Sequence, residues 1–223
     1  MHTRPINSIY RRVVDELMVE MHLLSVNADF RYDSIYGLGV VTSFDRFMQG
    51  YRPEEDKDSI FRALCQSMEQ DPQRYRHDAD QILSEVRSLS ASDFLAQLKH
   101  LSSGQTDGLG GYLYTIAENP QFKYSRLFAI GLYTLLETMD ADLVKDEKRL
   151  DEALDALCEA MHLSKDKLQK DLELYRSNLD KMIQAQIVLE DILKADRKKK
   201  EERAKAKDAI ATPPNNQETP SEG

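Results

Sequence analysis

Tryptophan is absent from this 223-residue chain, and glycine (9), proline (7) and cysteine (2) are sparse. Without tryptophan, no indole can anchor a pocket or an interface. Too few glycines and prolines are present for the frequent tight turns of an all-β fold. Two cysteines without a C-x-x-C spacing exclude a disulfide-rich scaffold and a zinc knuckle. Cys65 and Cys158 fall inside apolar helical patterns, which predicts two small buried hydrophobes in a reducing compartment. The longest apolar run, residues 127–136, is interrupted by Thr134 and bounded by Arg126 and Glu137. It falls well short of the roughly 20 residues that span a membrane, and predicts a buried core helix. His2, Thr3 and Arg4 place polar and basic residues where a secretory signal would begin, so none is expected.

What is present is apolar residues at 41% and charge at 31%, with a net charge of −9. The apolar share suffices for a core. The acidic balance makes the bulk of the chain a poor partner for nucleic acid, whose phosphates would repel it. The charge is unevenly spread. Lys194, Arg197, Lys198, Lys199, Lys200, Arg203, Lys205 and Lys207 give residues 194–208 a net +4, leaving −13 for the remainder. Such a basic run is either a solvated helix end or a patch for an anionic membrane surface or an acidic protein. No aromatic residue interleaves it to stack nucleic-acid bases.

The pattern along the chain is helical throughout. Pro5 suits a helix start, and Ile6, Ile9, Tyr10, Val13, Leu17, Met21 and Leu24 then recur at steps of three and four. Asp33 is a cap for a second helix carrying Ile35, Leu38, Val41, Phe44 and Phe47, with Gly37 and Gly39 permitting close approach and Gly50 at its stop. Pro53 is expected to open a third helix with Ile60, Phe61, Leu64 and Cys65 inward. Asp71-Pro72 starts a fourth, with Tyr75, Ala79, Ile82 and Val86. Ser90 or Ser92 caps a short helix through Phe94, Leu98 and Leu101. Residues 102–111, rich in Gly and Ser, are expected as the main internal loop. The most apolar helix follows Pro120, from Tyr124 to about Met139, and is expected at the centre of the core. A turn at Asp140 and Asp142 leads to a helix from about Asp146 with Leu150, Leu154, Leu157 and Met161.

Ser164 caps the last helix, and no Pro or Gly interrupts residues 165–208. Those 44 residues would reach about 65 Å at 1.5 Å per residue, against a radius of gyration near 14 Å for the preceding chain. Such an arm is expected to protrude or to find another chain. Leu168, Leu172, Tyr175, Leu179, Met182, Gln186, Leu189 and Leu193 form a heptad seam. Ile183, Ile187, Val188 and Ile192 lie off it, so this stretch is apolar on more than one side. The fold class predicted is all-α: a multi-helix globular domain over residues 1–163, a long coiled-coil-like helix over 164–208, and a disordered tail over 209–223. The candidate partner-binding residues are Leu172, Tyr175, Leu179, Met182, Ile183, Leu189, Lys198, Lys199, Lys200 and Arg203. A monomer or a coiled-coil dimer is compatible with this seam.

No pattern points to catalysis, a cofactor or a metal. Glu159 and His162 make one E-x-x-H pair, whereas a four-helix carboxylate di-metal site needs two and further glutamates. A helical carboxylate–histidine metalloenzyme is therefore the weaker alternative, beside a self-associating coiled-coil scaffold. Asp140, Asp142 and Asp146 hint at a calcium loop, but Val144 and Lys145 replace the residues it requires. Gly104, Gly108, Gly110 and Gly111 lack the G-K-[ST] of a phosphate loop. No G-x-S-x-G marks a nucleophile.

Three strings carry a family resemblance: HTRPINSIY continuing as RRVVDELMVEMHLLSVN, GLGVVTSFDRFMQGYRPEEDKDSIFRALC from Gly37 to Cys65, and FKYSRLFAIGLYTLLE from Phe122 to Glu137. Together they make the chain, to about Leu193, resemble the thylakoid formation protein family. The resemblance implies a non-enzymatic, helical factor of photosystem II biogenesis and repair in cyanobacteria and chloroplasts. It implies thylakoid association, with subunits of the FtsH membrane protease as partners. It implies a peripheral location on the cytoplasmic side of the thylakoid membrane, or in the chloroplast stroma. Relatives usually carry several residues before the H-T-R-P string, where this chain has Met1 alone. The lack of a transit peptide fits a cyanobacterial or a processed form.

Overall fold

The computed structural model describes residues 4–99 and 108–211, with side chains placed up to Arg203. Among these, every regular element is a helix: α1 (Ser8–Ser25), α2 (Ser34–Phe47), α3 (Asp56–Gln66), α4 (Pro72–Val86), α5 (Ala91–Leu98), α6 (Gly108–Ala117), α7 (Arg126–Met139), α8 (Glu147–Met161) and α9 (Lys165–Ala211). A single 3-10 turn, Leu143–Lys145, precedes α8.

Capping explains most of the helix starts. Free N–H groups at a helix N-terminus need acceptors, and short polar side chains supply them. Asn7 accepts from Ile9, Asp33 from Tyr36 at 2.8 Å, and Ser125 from Phe128 at 3.1 Å. Asp71 accepts from Gln73 while Pro72 occupies the first turn, where its missing N–H costs nothing. Asp146 accepts from both Lys148 and Arg149.

Three boundaries differ from the pattern reading. Residues 53–55 form a turn, so α3 begins at Asp56 rather than at Pro53. The glycine-rich stretch from Gly108 is not loop but the first turn of α6, which buries Leu109, Leu113 and Ile116. Apolar residues at this helical spacing override the poor helix propensity of three glycines. Residues 102–107 of the expected loop, and Leu101, lie outside the described residues. The last helix runs to Ala211, into the segment expected as tail, and residues 212–223 are again outside the described set.

The chain divides into two compact units, Met1–Asp180 and Lys181–Gly223. In the first, α2 and α7 pack along each other at the centre. Residues 35–44 of α2 and 127–136 of α7 are all buried, so both helices are apolar on every side, as a central pair must be. Their backbones meet at Gly39 and Gly131. A Cβ on Gly39 would lie 1.7 Å from the Leu127 carbonyl oxygen, and one on Gly131 2.0 Å from that of Ile35. Around this pair, α1 and α4 cover α2, while α5 and α6 pack on α8. The start of α9 belongs to the same unit and gives Leu168, Leu172 and Tyr175 to its core. The second unit is described as the remainder of α9, from Lys181 to Ala211.

Candidate functional site

The heptad seam of α9 meets two fates. Leu172 and Tyr175 are core residues of the first unit, each 3% exposed, and so are not available to a partner. The Tyr175 ring stands edge-on to Phe47 at 5.8 Å. Its hydroxyl is buried without a hydrogen-bond partner, close to Arg46, which is ion-paired with Glu137 of α7. Burial pushes the Tyr175 phenol up to about 12, despite the neighbouring guanidinium. Tyr124, at the approach to α7, donates to Asp171 at 2.8 Å, and the Lys167 ammonium lies 4.7 Å from its ring centre. These contacts fix the first four turns of α9 as an ordinary packed helix.

Further along α9, Leu179 is half-buried, Met182 is buried and Leu189 is half-buried. Ile183, Ile187, Val188, Ile192 and Leu193 are all exposed. Lys198, Lys199, Lys200 and Arg203 follow, fully on the surface. Lys194 pairs loosely with Glu190 and Asp191, at 3.7 and 3.9 Å, which leaves the apolar side chains between charged flanks. A helix stripe of this kind loses free energy in water and gains it against an apolar surface, at roughly 25 cal/mol per Å².

A second surface lies within the first unit and was not anticipated from the sequence. Besides its buried stripe of Tyr10, Leu17, Met21 and Leu24, α1 exposes Val19 and Leu23, and Val26 is exposed at its C-cap. Val19 and Leu23 border a groove of about 930 Å³ whose other side carries Leu174, Asn178, Tyr124 and Arg126. Its charged rim is internally paired: Arg126 with Glu20 at 2.6 Å, Arg12 with Glu16 at 2.9 Å, and Arg11 with Asp15 at 3.7 Å. The i, i+4, i+7 spacing of Val19, Leu23 and Val26 was the available signal.

The motifs considered for chemistry are occupied by structural duties. His162 does not continue the α8 face; it adopts the left-handed conformation (φ 56°) that closes the helix, so Glu159 and His162 are not neighbours on one helical face. Asp140 accepts from the backbone of Asp142 and Leu143 and from Arg149, while Asp142 pairs with Lys145. Among the described residues, no group of three or more His, Cys, Asp or Glu side chains is placed to hold a metal ion. Both cysteines are buried thiols, and burial pushes Cys65 up to about 12. Among the described residues, no helix is long and apolar enough to cross a membrane.

Sequence and structure comparisons converge. The thylakoid formation protein family matches residues 1–204. Protein Thf1 of Trichormus variabilis is 62% identical over 96% of this chain and 93% of its own length. Protein Thf1 of Nostoc punctiforme is 58% identical over 98% of this chain and 93% of its own. A solved structure of Psb29 superposes with a TM-score of 0.78 at 44% identity, covering 89% of this chain and 92% of that one. With nearly the whole described fold and most of the sequence matched, this chain belongs to the thylakoid formation protein family.

Proposed function

We propose that this protein is a non-enzymatic accessory factor in photosystem II biogenesis and repair and in thylakoid membrane organisation. It acts by binding and stabilising the thylakoid FtsH protease complex, as a peripheral protein on the cytoplasmic (or stromal) face of the membrane. The observation that carries this reading is the distal part of α9. It presents five large apolar side chains to solvent and then the basic cluster of Lys198, Lys199, Lys200 and Arg203. The apolar stripe suits a protein partner, and the basic cluster suits the anionic surface beside a membrane-embedded partner, at about 1 kcal/mol per residue near such a surface. The structural engagement of His162, Asp140 and Asp146 supports the non-enzymatic part.

The test is affinity recovery from solubilised thylakoids with the tagged full chain. FtsH subunits should be recovered with the wild-type chain, and recovery should fall at least several-fold with Ile183→Glu/Ile187→Glu. Equal recovery with that variant would remove the distal stripe from the contact. No recovery with either chain would remove the partner.

A further inference from the structure

Among the described residues, large apolar side chains exposed to solvent gather in two places. Val19 and Leu23 lie on α1, with Val26 at its C-cap and Leu174 across the groove; Ile183, Ile187, Val188, Ile192 and Leu193 lie on distal α9. Val19, Leu23 and Leu174 line a concavity, and the second set is a convex helical stripe. Monomeric proteins seldom leave two such patches uncovered. We propose that the groove beside α1 receives the distal α9 stripe of a second copy of this chain, and that two copies exchange these helices reciprocally.

Length, size and symmetry support this occupant. The α1 side of the groove runs from Ser8 to Leu24, about 24 Å at 1.5 Å per residue. The stripe from Ile183 to Leu193 needs about 15 Å on the same measure, so the guest helix fits within its length. Fourteen described residues line the groove. With residues 181–193 as guest, each copy brings close to the roughly 20–30 residues per side of a stable interface. A helix cannot lie in a groove of which it is itself a wall. Leu174 and Asn178 wall this groove and stand on the same continuous helix as the stripe, so the guest belongs to another chain. Reciprocal exchange gives each copy the same two surfaces and closes the assembly at two chains, with no open filament.

The charges are compatible with a helical guest. Each cation of the groove rim already has a carboxylate partner, so the guest need not supply a compensating charge. One of the lysines that flank the stripe, Lys181 or Lys194, can lie beside Asp15 and Glu16, which are more than half exposed. This assembly goes beyond the accessory reading and forms from the purified chain alone; because it covers the same α9 stripe, it competes with the protease contact for that surface. It differs from a coiled coil of two α9 helices, in which the α1 surface would have no part.

Sedimentation velocity on the purified full chain over the micromolar range tests it. The wild-type chain is expected at twice its chain mass. Val19→Glu/Leu23→Glu alone and Ile187→Glu/Ile192→Glu alone should each raise the dissociation constant at least ten-fold. All four positions are solvent-facing, and circular dichroism reports whether the helices are retained. An equimolar mixture of the two variants should regain a dimer, because the intact stripe of the first fits the intact groove of the second. A cross-link between Leu23→Cys and Ile187→Cys chains, formed on mixing and absent from either alone, gives a readout that does not need the glutamate variants to fold. A wild-type chain that stays monomeric, a groove variant that dimerises as well as wild type, or a mixture that neither dimerises nor cross-links would overturn the proposal.

Discussion

Gly39 and Gly131 bring α2 and α7 so close that a methyl group on Gly39 would lie 3.0 Å from the Gly131 amide nitrogen. The nearer obstacles are backbone carbonyls, which cannot rotate away as a side chain could. Gly39→Ala or Gly131→Ala should therefore force the two central helices apart. Overpacking of this kind costs about 1–3 kcal/mol and more where backbone must move. Urea denaturation should show a midpoint lowered accordingly, with the slope unchanged. An unchanged midpoint in both variants would mean the helices do not cross at these glycines.

Asp33 caps α2 from a site where burial pushes its carboxyl up to about 6, against the lowering effect of the Tyr36 and Ile35 amides. A folded-state value above the unfolded one means that the folded chain holds the proton more tightly. The contribution is therefore favourable below the unfolded value of 3.8 and is lost as pH rises through about 6. Asparagine caps equally well and carries no charge. Asp33→Asn should stabilise the protein by on the order of 1–3 kcal/mol above pH 6, with the gain shrinking towards pH 4. Thermal unfolding of both chains across that range checks the sign. A gain that grows as pH falls would contradict it.

Tyr175 separates packing from hydrogen bonding. Its ring is buried against Phe47, whereas its hydroxyl has no partner. Removing an unpartnered buried hydroxyl is nearly neutral or stabilising, while removing the ring leaves a cavity worth about 3–5 kcal/mol. Chemical denaturation should place Tyr175→Phe within about 1 kcal/mol of wild type and Tyr175→Ala far below it. Similar losses in both variants would show that the hydroxyl is bonded after all.

Much of this architecture could be read from residue spacing, because capping and period-3.6 patterning are local. Asp33, Asp71 and Asp146 announce their helices, and the unbroken run after Ser164 announces α9. α6 was hidden because glycine at 108, 110 and 111 signals a turn, and only the buried surfaces that Leu109 and Leu113 find in three dimensions reverse that signal. The candidate partner residues were only partly legible. A heptad seam states that a helix has neighbours but not whether they belong to its own chain. Leu172 and Tyr175 proved to face this chain's own core, whereas Ile183 faces solvent. The α1 groove was missed for the complementary reason: Val19 and Leu23 read as ordinary helix residues until Leu174, 151 positions beyond Leu23, is set beside them.

The thiols supply a further expectation. Cys65 and Cys158 are buried, and burial raises both pKa values, so neither presents a thiolate to solvent at neutral pH. A disulfide reagent should label neither in the folded chain and both in urea. Rapid labelling of the native protein would place one of them at the surface.

The central claim is that the distal stripe of α9 is a binding surface for the membrane protease complex. Its most direct test is a binding titration of purified, detergent-solubilised FtsH complex with the full chain, read by biolayer interferometry. Saturable binding is expected, weakened at least ten-fold by Ile183→Glu/Ile187→Glu and left within two-fold by Tyr175→Phe, a change of about 1.4 kcal/mol or more against less than half of that. Absence of saturable binding by the wild-type chain, or equal affinity of all three chains, would contradict the account.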